Sequence, residues 1–167
     1  MLPLVLNSVN IKAGLAGREP ERARRAALLA EAGVEARLLP DDVSDAVLGS
    51  LQLLFVAGLG EGEARDLAGR ARALGVLVNV EDRLPLCDFH VPAIVRRGDL
   101  LLTASTGGQV PGLARALRES LADQFGPEWT VRLKELGRAR AGWRAEGLSP
   151  SEVSHHVREL ISQMGWL

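Results

Sequence analysis

The amino-acid sequence predicts an α/β protein, in which a parallel sheet is followed by a strand-helix segment and an all-helical C-terminal tail. Short apolar runs alternate with amphipathic helical patterns as far as Ser105, and the connections between them are short. This alternation is typical of a parallel sheet that helices cover on both faces. From Gly126 onward only helical patterns occur.

Five strands and six helices are predicted, after a short apolar opening at residues 2–6. The predicted strands span residues 13–16, 34–39, 51–57, 76–80 and 99–105. The predicted helices span residues 19–32, 61–74, 111–125, 129–145 and 151–164, and residues 41–48 are predicted as a short sixth helix or a turn. Gly33 and Gly75 follow two of the helices, where glycine commonly ends a helix. Pro111 suits a first helical turn, and Ser149 or Ser151 caps the last helix.

Bulk composition narrows the class of protein. A chain of 167 residues forms one domain, or a domain with a helical appendage. The formal net charge of −1 argues against a nucleic-acid binder. The single cysteine, Cys87, excludes an internal disulfide and fits a reducing cytoplasm. No apolar run approaches the roughly 20 residues that span a bilayer, so we expect a cytoplasmic protein without a membrane span.

Asp82 is the first candidate for catalysis. It lies just past the apolar run that ends at Val80, and the carboxyl end of a parallel strand is where ligands bind in open sheets. A carboxylate at that position suits a general base. The alternative is an aspartate that only shapes a turn. Asn79, at the same strand end, either orients a cofactor amide or fixes the loop.

A second candidate site precedes the helix that begins at Pro111. Ser105, Thr106, Gly107 and Gly108 supply hydroxyls and free N–H groups at the positive end of a helix dipole, which suits a carboxylate. Arg115 adds a cation to this set. The alternative is a capped helix with solvated arginines.

No resident metal site is predicted. His90 has no second ligand at a recognisable spacing, and His155 and His156 are adjacent on a helix and face different directions. Cys87 alone cannot complete a zinc site.

The most specific feature is a long motif in the middle of the chain. It reads NVED at 79–82, LCDF at 86–89, PA at 92–93, RG at 97–98 and STGG at 105–108. This block resembles the N-terminal module of siroheme synthases, the NAD-dependent precorrin-2 dehydrogenases, some of which also act as sirohydrochlorin ferrochelatases. The resemblance runs from residue 2 to 39 and resumes from about residue 51 to about 121.

This resemblance implies an enzyme of siroheme biosynthesis that oxidises precorrin-2, a tetrapyrrole, to sirohydrochlorin, with ferrous iron as the substrate of a chelatase activity. It implies a Rossmann-like nucleotide-binding domain at 1–98, a dimerisation segment at 99–125 and a helical C-terminal domain at 126–167. Asp82 aligns with the catalytic aspartate of the family. The cofactor-binding positions that follow from the resemblance are Gly17, Arg18, Asp41 and Asn79.

The resemblance also implies a homodimer. Trp129, Trp143 and Trp166 lie in the tail of a chain that is only 4% aromatic. Tryptophan is enriched at buried interfaces, so these rings favour dimerisation through the tail. The alternative is that they join the tail to its own domain.

The chain departs from the family at the first strand-to-helix turn. Three consecutive glycines of the family align with Gly17, Arg18 and Glu19, and Pro20 follows. Glu19 adds negative charge where a pyrophosphate binds, and Pro20 removes an N–H donor. The sequence therefore predicts weak or absent NAD binding, unless the Arg18 guanidinium binds the pyrophosphate directly. The alternative functions are an NAD-independent tetrapyrrole-binding or chelatase-only homologue and a non-catalytic partner of a tetrapyrrole-synthesis enzyme.

Overall fold

The structure is a computed structural model that describes residues 2–167. The chain divides into two compact units, of which the first ends at Val91 and the second begins at Pro92. The sequence placed this border after Gly98. Residues 92–98 belong to the second unit because a strand within them pairs with the strand that follows.

The first unit is a parallel sheet with helices on both faces. Its strands are β1 (Ala13–Gly17), β2 (Arg37–Leu38), β3 (Leu53–Ala57) and β4 (Leu77–Val80), in the order β2-β1-β3-β4. Its helices are α1 (Glu21–Glu31), α2 (Asp45–Leu48) and α3 (Glu61–Ala73). This arrangement is one half of a doubly wound nucleotide-binding sheet and confirms the predicted fold class.

The two faces of the sheet explain which helix packs where. Leu54 and Val78 lie in the cluster that α3 covers, whereas Leu15 and Phe55 lie in the cluster that Leu29 of α1 covers. Every residue of β1 and β3 is buried, as expected of central strands between two helical layers. The first unit therefore closes its core with its own residues.

The outer parts of the first unit are shorter than predicted. The strand expected at 34–39 is reduced to two exposed residues at the sheet edge. The helix expected at 41–48 begins at Asp45, because the Ser44 hydroxyl caps it by accepting a hydrogen bond from Val47 N. The apolar opening at residues 2–6 joins no strand and its side chains are exposed.

The other edge of the sheet, β4, is covered by a short return of the chain. Asp88 N donates to Val78 O (2.7 Å), and the Asp88 carboxylate accepts hydrogen bonds from Val78 N and from Arg72 Nε, both at 2.8 Å. Both outward-facing backbone groups of Val78 are thus paired by a single aspartate.

The second unit begins with a hairpin and continues with three helices. The strands are β5 (Ala93–Arg97) and β6 (Leu100–Ala104), and the helices are α4 (Pro111–Gln124), α5 (Trp129–Ala145) and α6 (Pro150–Gln163). The sequence analysis assigned only the second strand of this hairpin. Gly98, at the tight turn, has a φ of +60°, which glycine adopts without strain. Ser149 caps α6 as predicted.

The tryptophans of the tail pack within the second unit. Trp129 is buried, its ring lies 5.1 Å from Phe125 and 6.4 Å from Trp166, and Arg132 stacks on it at 5.2 Å. These contacts join segments of the second unit, whereas the alternative to dimerisation was that the rings join the tail to its own domain. Within residues 2–167, no helix combines the length and the apolar character that crossing a membrane requires.

Candidate functional site

The ends of β1 and β3 form the crevice in which open α/β sheets bind ligands. The connection from β1 to β2 runs over one face of the sheet through α1, and the connection from β3 to β4 runs over the other face through α3. The gap between the ends of β1 and β3 is therefore the topological switch point. A cleft of about 160 Å³ opens there. Its polar lining is made by Arg18, Asp41, Glu63, Asp66 and Arg70.

Gly17 and Gly58 hold the two strand ends in close contact. A Cβ at Gly17 would overlap the Ala57 carbonyl oxygen, and one at Gly58 would lie 2.6 Å from the Arg18 carbonyl oxygen. Arg18 N donates to Ala57 O at 3.0 Å. The glycine at position 17 therefore serves strand pairing, and the N–H that follows it is already bonded.

Arg18 binds Glu63 rather than pointing freely into the cleft. Its two terminal nitrogens donate to the two carboxylate oxygens of Glu63 at 2.9 and 2.6 Å, and the Glu63 carboxylate also accepts from Gly60 N at 3.0 Å. The hydrogen bond from Arg18, followed by that from Gly60, lowers the pKa of Glu63. Asp41 lies at the edge of this pair, 4.0 Å from Arg18, with its side chain exposed.

Glu19 occupies the N-terminus of α1. Its carboxylate accepts a hydrogen bond from Ala23 N at 3.0 Å and pairs with Arg22 at 3.0 Å. In a dinucleotide-binding turn, the free N–H groups at this end of the helix bind the pyrophosphate. Here a carboxylate of the chain itself takes one of those donors.

Asp82 lies past the end of β4 in an unusual backbone conformation. It is the only non-glycine residue with a positive φ (+58°) among residues 2–167, and its side chain is exposed. The peptide is fixed on both sides: Glu81 N donates to Val56 O at 2.9 Å, and the Arg83 guanidinium donates to Leu59 O at 2.9 Å. Arg83 N also donates to Val80 O at 3.3 Å, so Asp82 is the third residue of a tight turn, a position at which a positive φ is common.

Asn79 is 7% exposed and fixes the loop that returns past β4. Its amide nitrogen donates to Phe89 O at 2.9 Å. Cys87 also binds this strand end, because its sulfur lies 3.3 Å from Val80 N and 3.1 Å from Val80 O. Both residues therefore hold the loop that carries Asp82 at the end of β4.

Three buried polar atoms near this loop have no hydrogen-bond partner within the described residues. They are Asn79 Oδ1, Glu81 Oε2 and His90 Nδ1. The other carboxylate oxygen of Glu81 pairs with Arg25 of α1 at 3.2 Å. This pair links the helix that starts at the first turn with the loop that carries Asp82.

The predicted carboxylate cradle lies in the second unit, between β6 and α4. The Ser105 hydroxyl oxygen accepts from Gly107 N at 3.3 Å and the Thr106 hydroxyl oxygen accepts from Val110 N at 3.2 Å. Gly107 and Gly108 both have a positive φ. The hydroxyls thus shape the turn as acceptors, and their hydrogens are available to a ligand.

Arg115 is bonded on the surface of α4. It donates to Glu119 at 3.0 Å, and this bond is the main cause of the lowered pKa of Glu119. Arg97, in contrast, caps the end of the same helix by donating to Phe125 O at 2.7 Å and Ala122 O at 3.2 Å. The candidate site residues thus fall into the two units: Gly17, Arg18, Asp41, Asn79 and Asp82 in the first, and Ser105, Thr106, Gly107, Gly108 and Arg115 in the second.

Comparisons with known proteins agree with the motif. A family model described as "Putative NAD(P)-binding" matches residues 15–93. Siroheme synthases from Pseudoalteromonas atlantica, Chromobacterium violaceum and Stutzerimonas stutzeri are 43%, 40% and 34% identical over 42%, 61% and 72% of this chain. The chain belongs to the family of the siroheme synthase N-terminal module.

This chain spans 15%, 22% and 33% of the lengths of those three relatives. Its fold is that of a solved structure named "SirC, precorrin-2 dehydrogenase", with a TM-score of 0.71 at 18% identity over 96% of this chain and 89% of that one. The site of this chain is therefore compared with that of the siroheme synthase module.

The first turn, in the conformation described, does not fit the NAD pyrophosphate that the siroheme synthase family implies. Glu19 bonds the α1 N-terminus, Arg18 is paired with Glu63, and the Arg18 N–H is bonded to Ala57. A dinucleotide phosphate would meet a carboxylate where the family has glycine.

Sequence reasoning missed Glu63, although one signal was present. A glutamate three residues after a helix cap is expected to bond back to the cap N–H, as Glu63 does to Gly60. Its partner Arg18 is 45 residues away and carried no such signal. As to metals, no cluster of three or more His, Cys, Asp or Glu side chains suited to a metal ion occurs in residues 2–167.

Proposed function

We propose that this chain acts in siroheme biosynthesis, as an enzyme that oxidises precorrin-2 to sirohydrochlorin. Asp82 carries the proposal: an exposed carboxylate, in a backbone conformation held from both sides, lies past a strand at the carboxyl edge of the sheet. It aligns with the catalytic aspartate of a family to which the chain belongs.

Asp82 acts as the general base of this reaction. Oxidation of precorrin-2 removes a hydride and a proton, and the Asp82 carboxylate takes the proton. Its exposure leaves room for a large macrocycle to approach, and the bonds at Glu81 and Arg83 keep its backbone in place. A group fixed before substrate binds contributes orientation at no further entropic cost.

The turn at residues 105–108 is the proposed contact for the carboxylates of the tetrapyrrole. Its two glycines have a positive φ, and the Ser105 and Thr106 hydroxyl oxygens accept backbone hydrogen bonds, so their hydrogens are left to donate to a ligand carboxylate. Charge-assisted hydrogen bonds of this kind are stronger than neutral ones.

NAD(P) is the hydride acceptor that the family-model match supports. The first turn does not fit its pyrophosphate, because the Glu19 carboxylate already bonds the N-terminus of α1. The Glu19 contact instead favours the second candidate function, an NAD-independent tetrapyrrole-binding or chelatase-only protein, for which ferrous iron is a substrate.

The proposed assembly is a homodimer formed through α4. None of the residues of this helix is buried, and Leu113 and Leu117, one turn apart, are 49% and 44% exposed. Paired leucines at this spacing form an apolar stripe suited to a partner helix. The tail tryptophans no longer support this proposal, since they pack within their own unit.

Replacing Asp82 tests the proposal. Asp82→Asn keeps the shape of the side chain and removes the base, so we expect the rate of precorrin-2 oxidation with NAD present to fall by about a hundredfold or more. Sirohydrochlorin binding, followed by fluorescence quenching, should change little. The control is Asp42→Asn, an exposed aspartate of the same unit. Wild-type rates in Asp82→Asn would refute the assignment.

A further inference from the structure

The two helices that flank the crevice both carry a carboxylate of the chain at their N-termini. Glu19 accepts from Ala23 N in α1, and Glu63 accepts from Gly60 N at the start of α3, both at 3.0 Å. A helix N-terminus favours negative charge and binds phosphate readily. In this chain, the carboxylates of Glu19 and Glu63 already supply that negative charge.

Arg18 is withheld from a ligand by the same arrangement. Its bidentate pair with Glu63 uses the planar fork that would otherwise bind two phosphate oxygens. A pyrophosphate must therefore compete with Glu63 for the one cation that the turn contributes.

The charge of the cleft beside β1 adds to this exclusion, although Glu19 and α1 do not line the cleft. The cleft is lined by three acidic side chains, Asp41, Glu63 and Asp66, and by two arginines, Arg18 and Arg70. An added pyrophosphate meets net negative charge there.

We propose that the Glu19 carboxylate takes the place of a nucleotide phosphate at the α1 N-terminus and excludes NAD(P) from the first turn until Glu19 is displaced. Glu19 is then the residue that sets nucleotide affinity in this chain. The inference rests on the proposed function for the identity of the excluded nucleotide, and the oxidation then requires that Glu19 leaves the α1 N-terminus before NAD(P) accepts the hydride.

Calorimetric titration of the full chain with NAD⁺, without any tetrapyrrole, tests the proposal. We expect binding of wild type weaker than about 1 mM and binding of Glu19→Ala at least about tenfold tighter. Glu19→Gln removes the charge but keeps a side chain that can accept the bond, so its gain should be smaller. Circular dichroism of each variant checks that α1 is formed.

Glu21→Gln is the matched control. It removes an equal charge from the first turn of α1, but Glu21 pairs with Arg24 and bonds no backbone N–H of the helix start. Its NAD⁺ affinity should stay within about threefold of wild type. The double variant Glu19→Ala/Glu63→Gln, which also releases Arg18, should bind tightest.

Two results would overturn the proposal: micromolar NAD⁺ binding by wild type, or no gain in Glu19→Ala over Glu21→Gln. A gain seen only in the double variant also overturns it, because exclusion would then lie with Glu63. None of these outcomes depends on tetrapyrrole binding or on Asp82, so the proposed function is tested separately.

Discussion

The two units of the chain bury apolar surface to very different degrees. Among the described residues, twenty hydrophobic side chains are buried in the first unit, but only four are buried in the second. The four are Val95, Ala104, Trp129 and Val153. The first unit has a closed core, whereas α4 of the second unit leaves Leu113 and Leu117 about half exposed.

This difference supports the proposed homodimer, in which the second unit packs against a partner. Burial of apolar surface is the main favourable term in folding, and a unit with few buried residues lacks it. The proposed dimer supplies the missing burial through Leu113 and Leu117. The sheet that holds Asp82, in contrast, is built from contacts within one chain.

The largest expected effect is a loss of stability in the first unit. Leu54 is 0% exposed at the centre of the sheet, so Leu54→Ala should lower the free energy of unfolding by about 2–5 kcal/mol. Urea unfolding measures this. The control Leu77→Ala, at a side chain that is 51% exposed on the edge strand, should cost far less. Equal losses would contradict a closed core.

A charge on α4 should act on assembly instead. Leu117→Asp places a carboxylate in the proposed apolar interface, and we expect the dimer dissociation constant to rise at least about tenfold. Light scattering over a concentration series measures it. Leu74→Asp, in the first unit at a similar exposure of 41%, should leave the assembly unchanged. A wild-type chain that stays monomeric at a concentration of roughly tens of micromolar would refute the dimer.

The smallest expected effect concerns the Arg18–Glu63 pair, which holds the surface of the first unit. Because the folded pKa of Glu63 is lowered below its ordinary value of 4.5, the pair stabilises fully above that pH and less as pH falls through the folded pKa. Glu63→Gln should therefore lower Tm slightly at pH 7, and the difference from wild type should shrink as the pH falls below 4.5 and through the folded pKa. Glu61→Gln, bonded only to Arg65 within α3, controls for the lost charge. A difference that persists at low pH would contradict the linkage.

The fold was largely predictable because burial on both faces leaves a plain pattern. Residues 51–57 read as an apolar run, and β3 lies within them. The strand Ala93–Arg97 was not predicted, because it is short, mostly half-exposed and rich in arginine. Its pairing with β6 also explains why the border between the units falls before it.

The site was predictable only where a reactive side chain follows the end of a strand in the sequence. Asp82 follows an apolar run directly, so its position past β4 could be inferred. Its positive φ belongs to a tight turn that Arg83 N closes by donating to Val80 O at 3.3 Å, whereas the bonds to Val56 and Leu59 come from other elements and could not be inferred. The pairing of Arg18 with Glu63 joins two distant segments and has no local signature.

The hydrogen bonds of Asp88 to Val78 have a consequence for solubility. An open edge strand offers unpaired N–H and C=O groups on which strands of other molecules can assemble into aggregates. On β4 these groups of Val78 are bonded by Asp88, and Arg72 holds that carboxylate in place. The opposite edge, β2, is only two residues long. The folded sheet thus offers little surface to strand-to-strand aggregation.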